Sequence, residues 1–203
     1  MSQFNIKNEF SIEEKYNQGL LPQRNQRDNF YSETSCRSNL DNFSLSSENR
    51  RIIRKTEDFS FERIPLDHFV FDIQLQKKLF HWIKGLGWDF PVSSAKNVFT
   101  NHIFNYLYVW KNPSGDVVAY SICYFSDTIS HIAYVFYDPQ YAHGNLPIRL
   151  VLQVVADSHD LGLKYCYLGR FSRESGFYKR NMPGFEYYSD GQWLGFNNSS
   201  ETL

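Results

Sequence analysis

The sequence predicts a mixed α/β protein, a central sheet with helices packed on it, preceded by a small N-terminal region. Three observations lead there. The runs "IFNYLYVW", "DVVAYSICYF" and "ISHIAYVFY" follow one another with short turns between them, as strands of an antiparallel meander do. The stretch "LPIRLVLQVVADSHD" then carries a helical pattern of apolar residues. "KYCYLG" follows as a short buried run and reads as a parallel return strand.

Taken in order, residues 1–55 form the N-terminal region, 56–197 the main domain and 198–203 a tail. Asn, Ser, Gln and Arg dominate the opening. One short helix is expected there, since Ser11 and Glu14 make a capping box before "IEEKYNQ" and Gly19 is placed to stop it. A second capped helix starts near Ser46 or Ser47 and runs through "ENRRIIRK". "FSFERI", residues 59–64, alternates as a strand does. A stronger helix follows Asp72, with Leu75, Leu79, Trp82, Ile83 and Leu86 on one stripe and Gly85 and Gly87 at its end. "KNPSG" is a hairpin turn between the first two meander strands, and Asp138-Pro139 closes the third. Asn145 is placed to cap the next helix, with Pro147 in its first turn and Leu161-Gly162 at its end. "GFEYYSDGQWLGF" supplies a final strand pair. This order of elements resembles a GCN5-related N-acetyltransferase-like domain.

Composition narrows the function classes. At 203 residues, 42% hydrophobic and 18% aromatic, the chain is globular with ample length for a core. A formal net charge of -1 gives no overall attraction to nucleic acid, so a polyanion site must be local. Cys36, Cys123 and Cys166 lie far apart with no C-x-x-C spacing, which argues against a disulfide framework and against a zinc site built by this chain alone. The opening "MSQFNIKNEF" is polar, and no apolar run approaches the roughly 20 residues of a membrane span. A soluble cytoplasmic protein without membrane association is expected.

The most unusual stretch is "YCYLGRFSRESGFYKR", residues 165–180, where a buried strand runs into a loop carrying Arg170, Arg173, Lys179 and Arg180. Open α/β sheets bind ligands past strand ends. Arginine forks suit carboxylate or phosphate, and lysine acts as a point charge. Two readings stay open at each candidate. Lys179 and Arg180 are anion-binding residues or solvated loop charges. Tyr165 and Tyr167 share one face of the strand, for chemistry or for cross-strand packing. Asp138 before Pro139 is a proton-route residue or a turn residue. His131, mid-strand, and His143, in a loop, admit a general-base role or a structural one. Arg50, Arg51, Arg54 and Lys55 fall on one helix face with Ile52 and Ile53 inward, a solvated face or a phosphate-backbone contact. "QYAHGNLP" stands where a coenzyme A loop would lie, but His143 takes the required glycine position and Gly144 comes one residue late. Pro147 also removes a donor there. It is a coenzyme A loop or an ordinary strand-to-helix connection.

Over roughly residues 115–195 the chain resembles the C-terminal domain of arginyl-tRNA–protein transferases and their bacterial leucyl-transferring relatives. The features that carry this are Tyr137-Asp138-Pro139 after an aromatic strand, a long helix, and a Tyr-x-Tyr-x-Gly strand at Tyr165, Tyr167 and Gly169. A loop with Ser175 then reaches the pair Tyr178-Lys179, and Glu186 and Trp193 match an acidic, tryptophan-bearing end. Upstream, "SSENRRIIRK" looks like the family's serine-then-double-arginine helix, and "YNQGL" with "FYSETSCRSNL" looks like a degraded form of its N-terminal motif. The resemblance implies transfer of an amino acid, of arginine or leucine type, from charged tRNA to the N-terminus of an acceptor protein. Aminoacyl-tRNA is then the donor substrate and no cofactor is implied.

The implied roles are catalytic for Asp138, Tyr167 and Lys179, and substrate-binding for Tyr137, Gly169, Arg170, Ser175 and Tyr178. Arg50, Arg51, Arg54 and Lys55 would bind the tRNA. Two departures stand out. Gly176-Phe177 replaces the family's usual Lys-Met, and the family's N-terminal cysteine cluster is reduced to Cys36 among Ser32, Ser35 and Ser38. One thiolate cannot close a tetrahedral site, so no metal is expected. The alternatives are a coenzyme A-dependent N-acyltransferase and a catalytically silent binding module.

Overall fold

The computed structural model describes residues 10–100, 102–172 and 176–196. An eight-stranded sheet runs through it in the order β10 (Gln192–Gly195), β9 (Phe185–Ser189), β3 (Ser35–Asn39), β8 (Tyr165–Arg170), β7 (Ile129–Tyr137), β6 (Val117–Phe125), β5 (Tyr106–Lys111) and β4 (Ser60–Pro65). The meander is formed by β5, β6 and β7, with β4 antiparallel to β5 on its outer edge. Helix α5 (Leu146–Asp160) crosses to β8, which lies parallel to β7, and β9 and β10 form the closing antiparallel pair.

Strand β5 shows how the sheet divides the core. Leu107 and Val109 pack with Leu75, Leu79, Trp82 and Ile83 of α3 (Ile73–Gly85) and with Ala95, Val98 and Phe99 of α4 (Val92–Thr100). The alternate residues Tyr108 and Trp110 pack with Leu150, Leu152, Val154 and Val155 of α5 and Ile52 of α2 (Ser47–Lys55). Successive side chains leave a strand on opposite faces, so a run buried on both sides needs helices on both.

The caps expected from sequence are largely in place. Ser11 and Glu14 close a capping box on α1 (Ile12–Asn17), and Ser46 with Asn49 does the same on α2. Asp72 accepts the Leu75 N–H at the start of α3. Asn145 occupies the N-cap position of α5, but its side chain makes no capping bond and instead accepts a hydrogen bond from Arg51 at 3.0 Å. A tertiary partner has outcompeted the local one.

Three features go beyond the sequence reading. Helix α4 is one, and a hairpin of β1 (Leu20–Pro22) and β2 (Phe30–Ser32) is another. The third is β3 (Ser35–Asn39), which sits inside the main sheet between β8 and β9. Its backbone passes so close that a side-chain carbon at Gly184 would lie 2.1 Å from the Asn39 carbonyl oxygen. Among the described residues no helix is long and apolar enough to cross a membrane.

Candidate functional site

The parallel pair β7–β8 is the place where the sheet opens. Their register runs from Ile129↔Tyr165 to His131↔Tyr167 and goes no further, although β7 continues to Tyr137 and β8 to Arg170. The reason lies on the other side of β8. Against β3, Cys36 pairs with Gly169 and Arg37 with Tyr167, so Leu168 is passed over and β8 bulges. Gly169 sits at φ +80°, a conformation that side chains with a Cβ disfavour. The bulge turns β8 away from β7.

A cavity of 680 Å³ fills this fork. Ala133 and Tyr134 of β7 and Leu168, Gly169 and Arg170 of β8 form two walls. Residues Leu21 to Gln26, at and after β1, form another with Tyr31 of β2, and His131, Phe104 and Lys179 complete the lining. The lining is more polar than apolar, with Arg24, His131, Arg170 and Lys179 among it, so the cavity suits a polar or anionic ligand.

Lys179 reaches the fork because Gly176, at φ +81°, turns the chain into the short 3-10 helix Phe177–Asn181. Its ammonium donates to the Leu168 carbonyl at 2.6 Å and to the Arg170 carbonyl at 2.9 Å. Between them, the Gly169 carbonyl accepts the Cys36 thiol at 3.3 Å. Burial lowers the Lys179 pKa. Burial also pushes the Cys36 thiol up to about 12, with Lys179 opposing, so this cysteine stays a protonated donor.

His131 is 3% exposed at the apex of the fork. The Tyr16 hydroxyl lies 2.7 Å from its Nδ1, and its Nε2 has no partner among the described residues. Burial, then the Lys179 charge, bring its pKa down to about 3, so the imidazole is neutral at ordinary pH. Arg170 is more open, with its guanidinium 3.5 Å from Glu33.

The other sequence candidates lie elsewhere. Tyr167 is fully buried, with its hydroxyl donating to Asn17 at 2.8 Å and accepting from Arg37 at 3.4 Å; it packs on Tyr16 and Trp193 and does not line the cavity. Tyr137 stacks edge-on against Trp88 at 5.5 Å. Asp138 accepts the Gln140 N–H at 3.0 Å and caps the turn Pro139–Tyr141. Tyr178 is half-exposed beside Lys179, and Ser175 lies outside the described residues. On α2, Arg50 bonds the Leu45 carbonyl and Ser47, Arg51 pairs with Glu48 at 2.7 Å, and Arg54 and Lys55 face solvent. The fork thus brings together His131, Gly169, Arg170 and Lys179 from the sequence candidates. Tyr16 belongs to the motif-like stretch "YNQGL", but its place behind His131 and the wall from Leu21 to Gln26 were not legible, because a short polar hairpin declares its position only through packing. Among the described residues no group of three or more His, Cys, Asp or Glu side chains is placed to hold a metal ion.

An antiparallel meander, a helical crossover and a forked parallel pair make this a GCN5-related N-acetyltransferase-like fold. No family model matches the chain. Aspartate/glutamate leucyltransferases from strains of Acinetobacter baumannii are 25% identical to it over 172 residues, which is 81% of this chain. The chain spans 63% of the length of those relatives. Among solved structures, the C-terminal domain of a protein assigned as a lysylphosphatidylglycerol synthetase, from Agrobacterium fabrum, superposes with a TM-score of 0.51 at 14% identity, covering 68% of this chain and 46% of that one. That likeness concerns the fold.

Proposed function

We infer that the protein is an aminoacyl-tRNA–protein transferase, taking an amino acid from charged tRNA and joining it to the N-terminus of an acceptor protein. The observation that carries this is the cationic fork: Lys179, partly buried and bound only to carbonyls among the described residues, shares one cavity with Arg170 and Arg24. Similarity to leucyltransferases named for aspartate and glutamate supports the same reading. In the reaction the acceptor's neutral amine attacks the ester carbonyl. A C–N bond forms, the C–O bond to the tRNA ribose breaks, and the amine proton leaves with the ribose hydroxyl. Positioning and charge stabilisation do most of such work. Lys179 and Arg170 receive the acceptor's carboxylate or the terminal phosphate of the tRNA. The exposed cations Arg50, Arg54 and Lys55 of α2 hold the tRNA backbone, with Arg51 contributing less because Glu48 already pairs with it.

The test supplies labelled aminoacyl-tRNAs, labelled acetyl-coenzyme A and peptides beginning with Asp, Glu or another residue. Label passing from tRNA to peptide is expected. Label from acetyl-coenzyme A would replace this reading with an N-acyltransferase, and silence with retained peptide binding would leave a binding module. Neutralising Arg50, Arg51 and Arg54 together is expected to weaken tRNA binding and to flatten its salt dependence by about 0.7–0.9 in log–log slope per lost phosphate contact. Unchanged binding would remove α2 from the interface.

A further inference from the structure

His131 was open to a general-base reading, and the geometry gives it the opposite polarity. Tyr16 is fully buried, and among the described residues the acceptor for its hydroxyl proton is His131 Nδ1 at 2.7 Å. The phenol therefore donates, Nδ1 holds the lone pair, and the ring hydrogen sits on Nε2. That Nε2–H is buried, and of the buried side-chain polar atoms without a partner among the described residues it is the one that lines this cavity.

Lys179 is in a similar position. An ammonium has three N–H groups, and two are engaged by Leu168 and Arg170, which leaves one without a partner among the described residues. The two donors border the same small space. A side-chain carbon built at Gly169 would lie 3.7 Å from His131 Nε2 and 3.8 Å from Lys179 Nζ. No carboxylate among the described residues pairs with Lys179.

We propose that His131 Nε2–H and the third N–H of Lys179 form a two-point receptor for a carboxylate-type oxygen anion over Gly169. A side chain at position 169 would fill the receptor, which accounts for the glycine beyond its backbone conformation. Tyr16 is a positioning residue that holds the imidazole in its donor tautomer. Under the aminoacyl-transfer reading, on which this assignment of the ligand rests, the oxygen comes from the acceptor's acidic side chain or from the ester carbonyl as the amine attacks. Both present the same chemistry to the two donors.

The experiment uses the full chain with ¹⁵N-labelled histidine. Nitrogen spectra are expected to show His131 as the Nε2–H tautomer, and Tyr16→Phe to weaken that preference. Acetate and an Asp-initiated peptide are then titrated in, beside the Asn-initiated analogue. A shift of the His131 Nε2 signal with acetate and the Asp peptide, absent with the Asn peptide, identifies the acceptor carboxylate as the ligand. No shift, together with a His131→Leu variant whose kcat falls about 100-fold at unchanged KM, identifies the ester oxyanion. His131→Gln, which keeps a donor near the Nε2 position, should recover part of the loss. Gly169→Ala leaves both donors in place and should abolish either effect, so the idea stays testable if His131→Leu does not fold. An Nδ1–H tautomer in the wild type, or no shift combined with transfer that is absent or indifferent to His131→Leu, overturns the receptor. The spectra need no turnover: a shift in a protein that transfers nothing keeps the receptor and sinks the transferase reading.

Discussion

Arg37 and Lys179 each bring a cation to β8, Arg37 buried and coming from β3 beside it, Lys179 partly buried and coming from the loop beyond its end. The Arg37 guanidinium donates to Glu186 at 2.8 Å and to Tyr167 at 3.4 Å, and lies 3.6 Å from the Tyr165 ring and 4.1 Å from that of Trp193. A cavity of 530 Å³ adjoins this group, yet its charge is already matched by Glu186. Lys179 has two carbonyls and, among the described residues, no carboxylate. Each cation lies beside a cavity. The difference is that among the described residues Arg37 has a carboxylate partner and Lys179 has none.

The largest effect that can break this contrast is on stability. Arg37→Ala removes the ion-pair partner of the mostly buried Glu186 carboxylate, which among the described residues keeps only the Asn39 amide as a donor at 2.9 Å. The expected cost is about 3 kcal/mol in urea unfolding. Transfer per folded molecule should stay near the wild-type rate; a variant as stable as wild type would mean that the pair contributes little.

Lys179→Met should divide the other way. Two carbonyls lose a donor, for about 1–3 kcal/mol of stability, while transfer falls about 100-fold or more. Equal transfer by this variant would make Lys179 a loop clamp and nothing else.

Acid titration sharpens the contrast at His131. The folded imidazole resists protonation down to about 3, whereas in the unfolded chain it protonates below its ordinary 6.5. The unfolded state thus binds the extra proton, and stability falls as pH drops from 6.5 towards 3. By about pH 5 the contribution reaches roughly 2 kcal/mol. His131→Gln should lose less stability than wild type between neutrality and that pH. Parallel curves would assign the acid sensitivity to other groups.

The smallest expected change comes from Tyr167→Phe. Its hydroxyl bonds Asn17 and Arg37 inside the packed cluster, so about 1 kcal/mol of stability is at stake. A transfer rate that collapses in this variant, at unchanged stability, would restore Tyr167 to the chemistry.

Much of the scaffold was legible because it depends on local patterns. The strand-like runs of β5 to β7, the stripe on α3 and the caps at Ser11, Ser46 and Asp72 are properties of short windows, and they formed as read. The site was legible in part. Gly169, Arg170 and Lys179 could be singled out by their place past a strand end, but nothing local tells which cation has a partner. Glu186 lies far along the chain from Arg37, and only β3 pairing with β9 sets them together.

The sequence by itself determined the order of the meander, the long helices and the closing strand pair, together with the basic loop after β8, since periodicity, caps and glycines act over a few residues; it did not announce α4, the β1–β2 hairpin or β3. The tertiary structure decided the rest. "SCRSN" has too few apolar residues to announce a strand, yet it is buried between β8 and β9, where sheet hydrogen bonds and short side chains suit the space. Its pairing bulges β8 at Leu168, and the bulge opens the fork in which His131 and Lys179 meet. The joint position of two donors 48 residues apart, given that Lys179 follows His131 at that separation, exists only once β7, β8 and the inserted β3 have packed.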